Sequence, residues 1–148
     1  MTFNAWSAIP ESRQLVLIDK NWKFIQSDVK DGEKQIFDDS KWRTLNLPHD
    51  WSIEGEFKED AITKGPGGYL PAGIGWYRKH LNINSIAKDQ QFWIEFDGVY
   101  MNSDVWINGQ HLGKSKKDMI LKNLQFTIRN FKNQNLFTFV NLSVLTIA

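Results

Sequence analysis

MNSDVWINGQHLGK, residues 101–114, has the side-chain order of a β-hairpin. Val105 and Ile107 alternate with Trp106, so the two aliphatic side chains share one strand face and the indole takes the other. Asn108-Gly109 comes next, a pair that accepts positive φ in a tight turn, and Gln110 to Leu112 returns. Working back along the chain, QFWIEFDG (91–98) puts Phe92, Ile94 and Phe96 on one face and Trp93 and Glu95 on the other. WYRKHLNIN (76–84) aligns Tyr77, Lys79, Leu81 and Ile83 on one side.

The same alternation continues towards the N-terminus. NWKFIQS (21–27) alternates around Trp22 and Phe24, and WRTLNLP (42–48) sets Leu45 and Leu47 facing inward. FDDSKW (37–42) predicts one helical or 3₁₀ turn, with Asp38 or Ser40 as its cap. Beyond Gly113, LQFTIRN and NLFTFVNLSVLTI are strand-like, rich in Phe, Thr, Val and Ile. No stretch of a dozen residues keeps a helical period. Short strands punctuated by turns predict an all-β chain folded as a β-sandwich.

Composition bounds the function. The 148 residues suit one domain with one core. Seven Trp and ten Phe supply large side chains that dominate cores and ligand platforms alike. A net charge of +1 argues against a nucleic-acid footprint. With no cysteine, disulfides, zinc ribbons and thiol catalysis are excluded. The first residues show no signal peptide, and their longest apolar run, Leu15 to Ile18, is too short to cross a bilayer. The expectation is a protein with no membrane or nucleic-acid partner, cytoplasmic by default.

Gly55 to Gly75 stands apart, with six glycines and two prolines in 21 residues. Tyr69, Leu70 and Ile74 interleave with the glycines, which predicts an ordered loop of the kind that carries function. Catalysis finds little support around it. His49 and Asp50 are neighbours, so on an extended backbone they point to opposite sides. Glu54 and Glu56 could share a face, as glycosidase carboxylates must, but two glutamates in a loop read as solvated. His80 and His111 have no metal-ligand spacing, and no phosphate loop or nucleophile elbow is present. Sugar binding is the sharper reading, because Trp and Tyr faces stack on pyranose rings while Asp and Asn satisfy hydroxyls. The candidate substrate-binding residues are Asp50, Trp51, Tyr69 and Trp76, with Tyr77 and Asn102 nearby. Trp22, Trp42 and Trp106 read as core. No catalytic residue, metal or cofactor is expected.

NWKF, FDDSKWRTLNLPHDWSIEGEF, GGYLPAGIGWYRKHL and FDGVYMNSDVWINGQHLGK occur in that order. Together they resemble the N-terminal sugar-binding domain of glycoside hydrolase family 2, of the β-galactosidase type, densely over residues 21–114. The resemblance implies a jelly-roll β-sandwich over 21–148 after a lead-in at 1–20. It also implies that the catalytic glutamates lie in a (β/α)8 barrel absent from this chain, so Glu54, Glu56 and Glu95 are not promoted to that role. The matching loop, Asp50 through Tyr77, would help shape a galactoside subsite together with that barrel.

Past residue 114 the family pattern lapses and the final strands are missing. The expectation is an incomplete sandwich whose terminal strand offers an edge for self-association. Two other readings stand beside the leading one: a free-standing carbohydrate-binding module, and a purely structural interdomain piece. On every one of these readings the chain alone is not an enzyme.

Overall fold

The computed structural model describes residues 15–60, 71–83, 91–99, 102–115, 124–127 and 136–146. These hold eight strands: β1 (Trp22–Gln26), β2 (Arg43–Leu45), β3 (Gly73–Ile83), β4 (Gln91–Ile94), β5 (Ser103–Ile107), β6 (Gln110–Ser115), β7 (Leu124–Thr127) and β8 (Leu136–Thr146). The one helical element among them is a 3₁₀ turn at Trp51–Glu54. The strands form a six-stranded sheet, β2-β1-β3-β8-β5-β6, and a two-stranded sheet, β4-β7, with antiparallel pairing throughout. The chain is an all-β sandwich, as the alternation and the resemblance require, with its strands divided six and two between the layers.

The hairpin at 101–114 forms where its side chains place it. Asn108 and Gly109 have φ of 50° and 80°, the positive pair that a type I′ turn needs. Ser103, Val105 and Ile107 are buried along β5, and Trp106 turns to the other face. Removing Val105 and Ile107 from water contributes about 1.5–3 kcal/mol each. A bulge between Val105 and Trp106 shifts the register against β6.

Ile94 of the small sheet joins Trp22, Phe24, Trp51, Tyr77, Val105 and Ile107 in a single cluster, so the second layer closes over the first. Trp93, one position away, points out and is 48% exposed. Leu45, Leu47, Leu81 and Phe96 pack on the cluster's margin, on the faces their alternation predicts. Trp22 is fully buried and donates its Nε1–H to the Ile18 carbonyl at 2.7 Å, satisfying its one polar atom.

β3 is covered on both faces. Its inner face carries Tyr77; its outer face carries Trp76 and Arg78, roofed by the segment from Asp28 to Trp42. That segment is a run of turns: Asp38 accepts from the Ser40 amide at 2.9 Å, and Trp42 N donates to the Asp39 carbonyl at 3.0 Å. Arg78 secures the roof with bonds to the Gly32, Lys34 and Gln35 carbonyls at 2.9–3.0 Å.

One expectation is corrected. β8 is not a loose edge: it pairs with β3 from Gly73↔Thr146 to Ile83↔Leu136 on one side and with β5 on the other. The outer strands of the sheet are β2 and β6. The pairing with β5 runs over Val140–Val144, so in this part of its length β8 is an inner strand of the sheet.

Candidate functional site: the loop after the second strand

β2 ends at Leu45, and the chain then turns through a cis Leu47–Pro48 peptide, with the Leu47 amide bound to the Asp19 carbonyl at 2.8 Å. His49 follows, then Asp50 in extended conformation as the N-cap of the 3₁₀ turn. Asp50 Oδ1 accepts from the Ser52 amide at 2.9 Å and from the Ser52 hydroxyl at 2.7 Å. An acidic side chain does this because the first amides of a helical turn have no partner of their own.

Trp51 goes inward. It is 3% exposed, and its indole lies on the β3 backbone at Gly75, where a Cβ would stand 2.7 Å from Nε1. Gly75 is the residue that lets this close approach occur. Trp76, the next residue of β3, points to the opposite face and stacks on Trp106, with centroids 5.3 Å apart and 19° between planes.

His49 is the hub of the loop. Its Nδ1 is 2.8 Å from the Tyr77 hydroxyl and its Nε2 is 3.0 Å from Glu54 Oε1. Arg43, from β2, bonds Glu54 Oε2 at 2.6 Å, and its guanidinium sits 5.2 Å from the Phe24 ring centroid. The Arg43 hydrogen bond, and then that from His49, hold the Glu54 carboxyl below the usual carboxylate range. Burial, and then the charges of Asp50 and Glu54, push the Tyr77 hydroxyl upward, so it stays protonated. Arg43 and Glu54 also border an open groove of about 320 Å³ lined by Phe24, Gln26, Lys41 and Trp42. Chemically, the arrangement pins a turn to a sheet through hydrogen bonds and one ion pair.

The sequence candidates are therefore separated. Asp50 is exposed and caps the turn, whereas Trp51 is a core residue and Trp76 is buried on the far side of β3. Protein covers the two indoles on opposite faces of the sheet. Tyr69 lies outside the described residues, and Asn102, at positive φ, sits at the entry to β5. His49 and Asp50 make no dyad, as their adjacency predicts. Glu54 is ion-paired where the sequence reading left it solvated. The Arg43–Glu54–His49–Tyr77 group escapes sequence reasoning because its members are up to 34 positions apart and match no spacing rule.

No family model matches the chain. Relatives are nevertheless clear. A putative β-glucuronidase of Formosa agariphila is 49% identical over 94 residues, 64% of this chain. A β-galactosidase of Bacteroides ovatus is 43% identical over 107 residues, 72% of this chain. The matched segments span only 9% and 13% of those two proteins. Among solved structures, a β-glycosidase from Bacteroides vulgatus superposes with a TM-score of 0.74 at 40% identity, covering 85% of this chain and 16% of that one. A glycosyl hydrolase family 2 member from Bacteroides cellulosilyticus gives 0.73 at 37%, covering 86% and 17%. The chain thus belongs to glycoside hydrolase family 2, of whose enzymes it corresponds to a domain-sized part.

Proposed function

We propose that this chain is the non-catalytic N-terminal domain of a family 2 glycosidase, and that its Asp50–Tyr77 loop shapes a sugar subsite completed by the rest of the enzyme. The observation that carries the reading is the pinned turn at His49–Glu54. It holds Asp50 exposed on a hydrogen-bonded turn, ahead in sequence of the glycine-rich segment that contains Tyr69. Preorganised polar groups on loops above a rigid sheet suit ligand positioning. The two indoles act indirectly in this reading: Trp51 anchors the turn in the core, and Trp76 supports β3 from the other side.

The subsite is assigned to a terminal galactoside on the form of the HDWSIEGEF and GGYLPAGIGWYRK motifs, with a glucuronide as the competing substrate class, since relatives carry both names. Glycoside hydrolysis needs two carboxyl groups flanking one bond, and in this reading they come from outside these residues. The test is made in a complete relative. Tyr69→Ala and Asp50→Asn should each lower β-galactoside turnover while the thermal transition stays in place. Unchanged turnover in both would leave the loop a packing piece only.

A further inference from the structure

We propose that Asn108 is a deamidation site that the folded β5–β6 hairpin keeps closed, and that its modification in an unfolded chain hinders the hairpin from re-forming. The inference is independent of what the Asp50–Tyr77 loop binds.

Asn108-Gly109 is the one Asn-Gly pair in the 148 residues. Glycine has no side chain to shield its amide nitrogen, which leaves that atom open to attack the carboxamide before it. The Gly109 nitrogen bonds Asn108 Cγ, the Cγ–Nδ2 bond breaks, and Nδ2 leaves as ammonia with the amide proton. Water then opens the cyclic succinimide. Addition at Cγ gives aspartate. Addition at the main-chain carbonyl of residue 108 gives isoaspartate, whose backbone runs on through the side chain. Water is the co-reactant, and Gly109 at the hairpin tip is exposed to it.

The fold opposes the first step. Ring closure needs the Gly109 nitrogen eclipsed with the Asn108 Cβ. Asn108 has φ of 50°, in the left-handed region, where ψ is about +47°. In an L-residue that ψ sets the next nitrogen nearly anti to Cβ, turned away from the carboxamide. Neither a right-handed nor an extended backbone turns it so far. The turn cannot rotate alone, because Ile107 pairs with Gln110 and Trp106 with His111 directly behind it. Ile107 is buried and Asn108 Nδ2 is shielded from solvent. Closure therefore requires the hairpin tip to open.

Neither product suits the turn. A two-residue turn fixes the register of its strands by its length, and isoaspartate adds one backbone carbon to it. Aspartate instead places a carboxylate oxygen where Nδ2 is shielded, and a shielded charge carries a desolvation cost.

The test follows the whole 148-residue chain in mildly alkaline buffer, folded and in concentrated urea, by peptide mapping with mass spectrometry. Deamidation at Asn108 should be at least about fivefold slower in the folded chain, the factor that one net hydrogen bond is worth. A smaller ratio would overturn the proposal. Chain aged in urea and then refolded should unfold at a lower urea midpoint than fresh chain. Asn108→Gly keeps a pair that accepts positive φ but has no carboxamide, so the same ageing should leave its midpoint unchanged. An unaltered midpoint in the aged unsubstituted chain, or an equal loss in Asn108→Gly, would also overturn it. The rate ratio in the unsubstituted chain decides alone if the variant fails to fold.

Discussion

Arg78 Nε lies 2.9 Å from Asp39 Oδ2, joining the middle of β3 to a turn 39 positions earlier in a place where the guanidinium is wholly shielded from water. His80 bonds the same carboxylate oxygen from the rim. Burial pulls the Arg78 pKa down, and the Asp39 charge and hydrogen bond oppose it. A buried cation without its anion is costly, and Asp39→Ala should destabilise the chain by about 3–5 kcal/mol. Urea denaturation measures this. Arg78→Lys should not rescue the roof, because an ammonium cannot present a planar fork to three carbonyls and a carboxylate.

Gly75→Ala tests the seat of Trp51. The added methyl meets the indole at 2.7 Å and Phe24 at 3.2 Å, so the ring must shift. Overpacking of this kind costs about 1–3 kcal/mol. Alongside a lowered denaturation midpoint, the Trp51 indole proton should change its NMR shift. A shift without loss of stability would mean that the turn yields freely.

At the β5–β6 hairpin, Gly109→Ala places a side chain on a residue with φ of 80°. The left-handed region costs an L-residue about 1–2 kcal/mol, and that loss should appear in equilibrium unfolding. Space is not the reason, since the nearest atom to the new Cβ is the Glu33 carbonyl oxygen at an ordinary 3.7 Å.

What the sequence made legible is what depends on neighbours. Asn108-Gly109 announces its turn, and the alternation of Phe92, Ile94 and Phe96 with Trp93 assigns inside and outside correctly at Ile94 and Trp93. Trp22 and Trp42 are core, as read. Strand order is a long-range property, so the tail's place between β3 and β5 was invisible, although its strand character was plain. The fate of Trp51 turned on a glycine 24 positions away, and that of His49 on Tyr77, 28 positions away. Pattern rules do not reach such pairs; packing decides them.

The Arg43–Glu54 pair carries a pH dependence of fixed sign. The folded-state pKa of Glu54 is depressed, so its contribution to stability is present above the unfolded carboxyl pKa and is lost as pH falls through the folded value. Both side chains are about half exposed, which makes the contribution small and sensitive to salt. Thermal unfolding of the unsubstituted chain and of Arg43→Gln should differ near neutral pH in low salt. The two should converge in acid, and also at high ionic strength. A difference that persists in acid would show that Arg43 acts through its stacking on Phe24.

The central claim is that these residues shape a glycosidase site without performing its chemistry. It is tested most directly by assaying the purified 148-residue chain against a chromogenic β-galactoside and the matching β-glucuronide. No turnover of either above the buffer rate is expected. Turnover that co-purifies with the chain would contradict it.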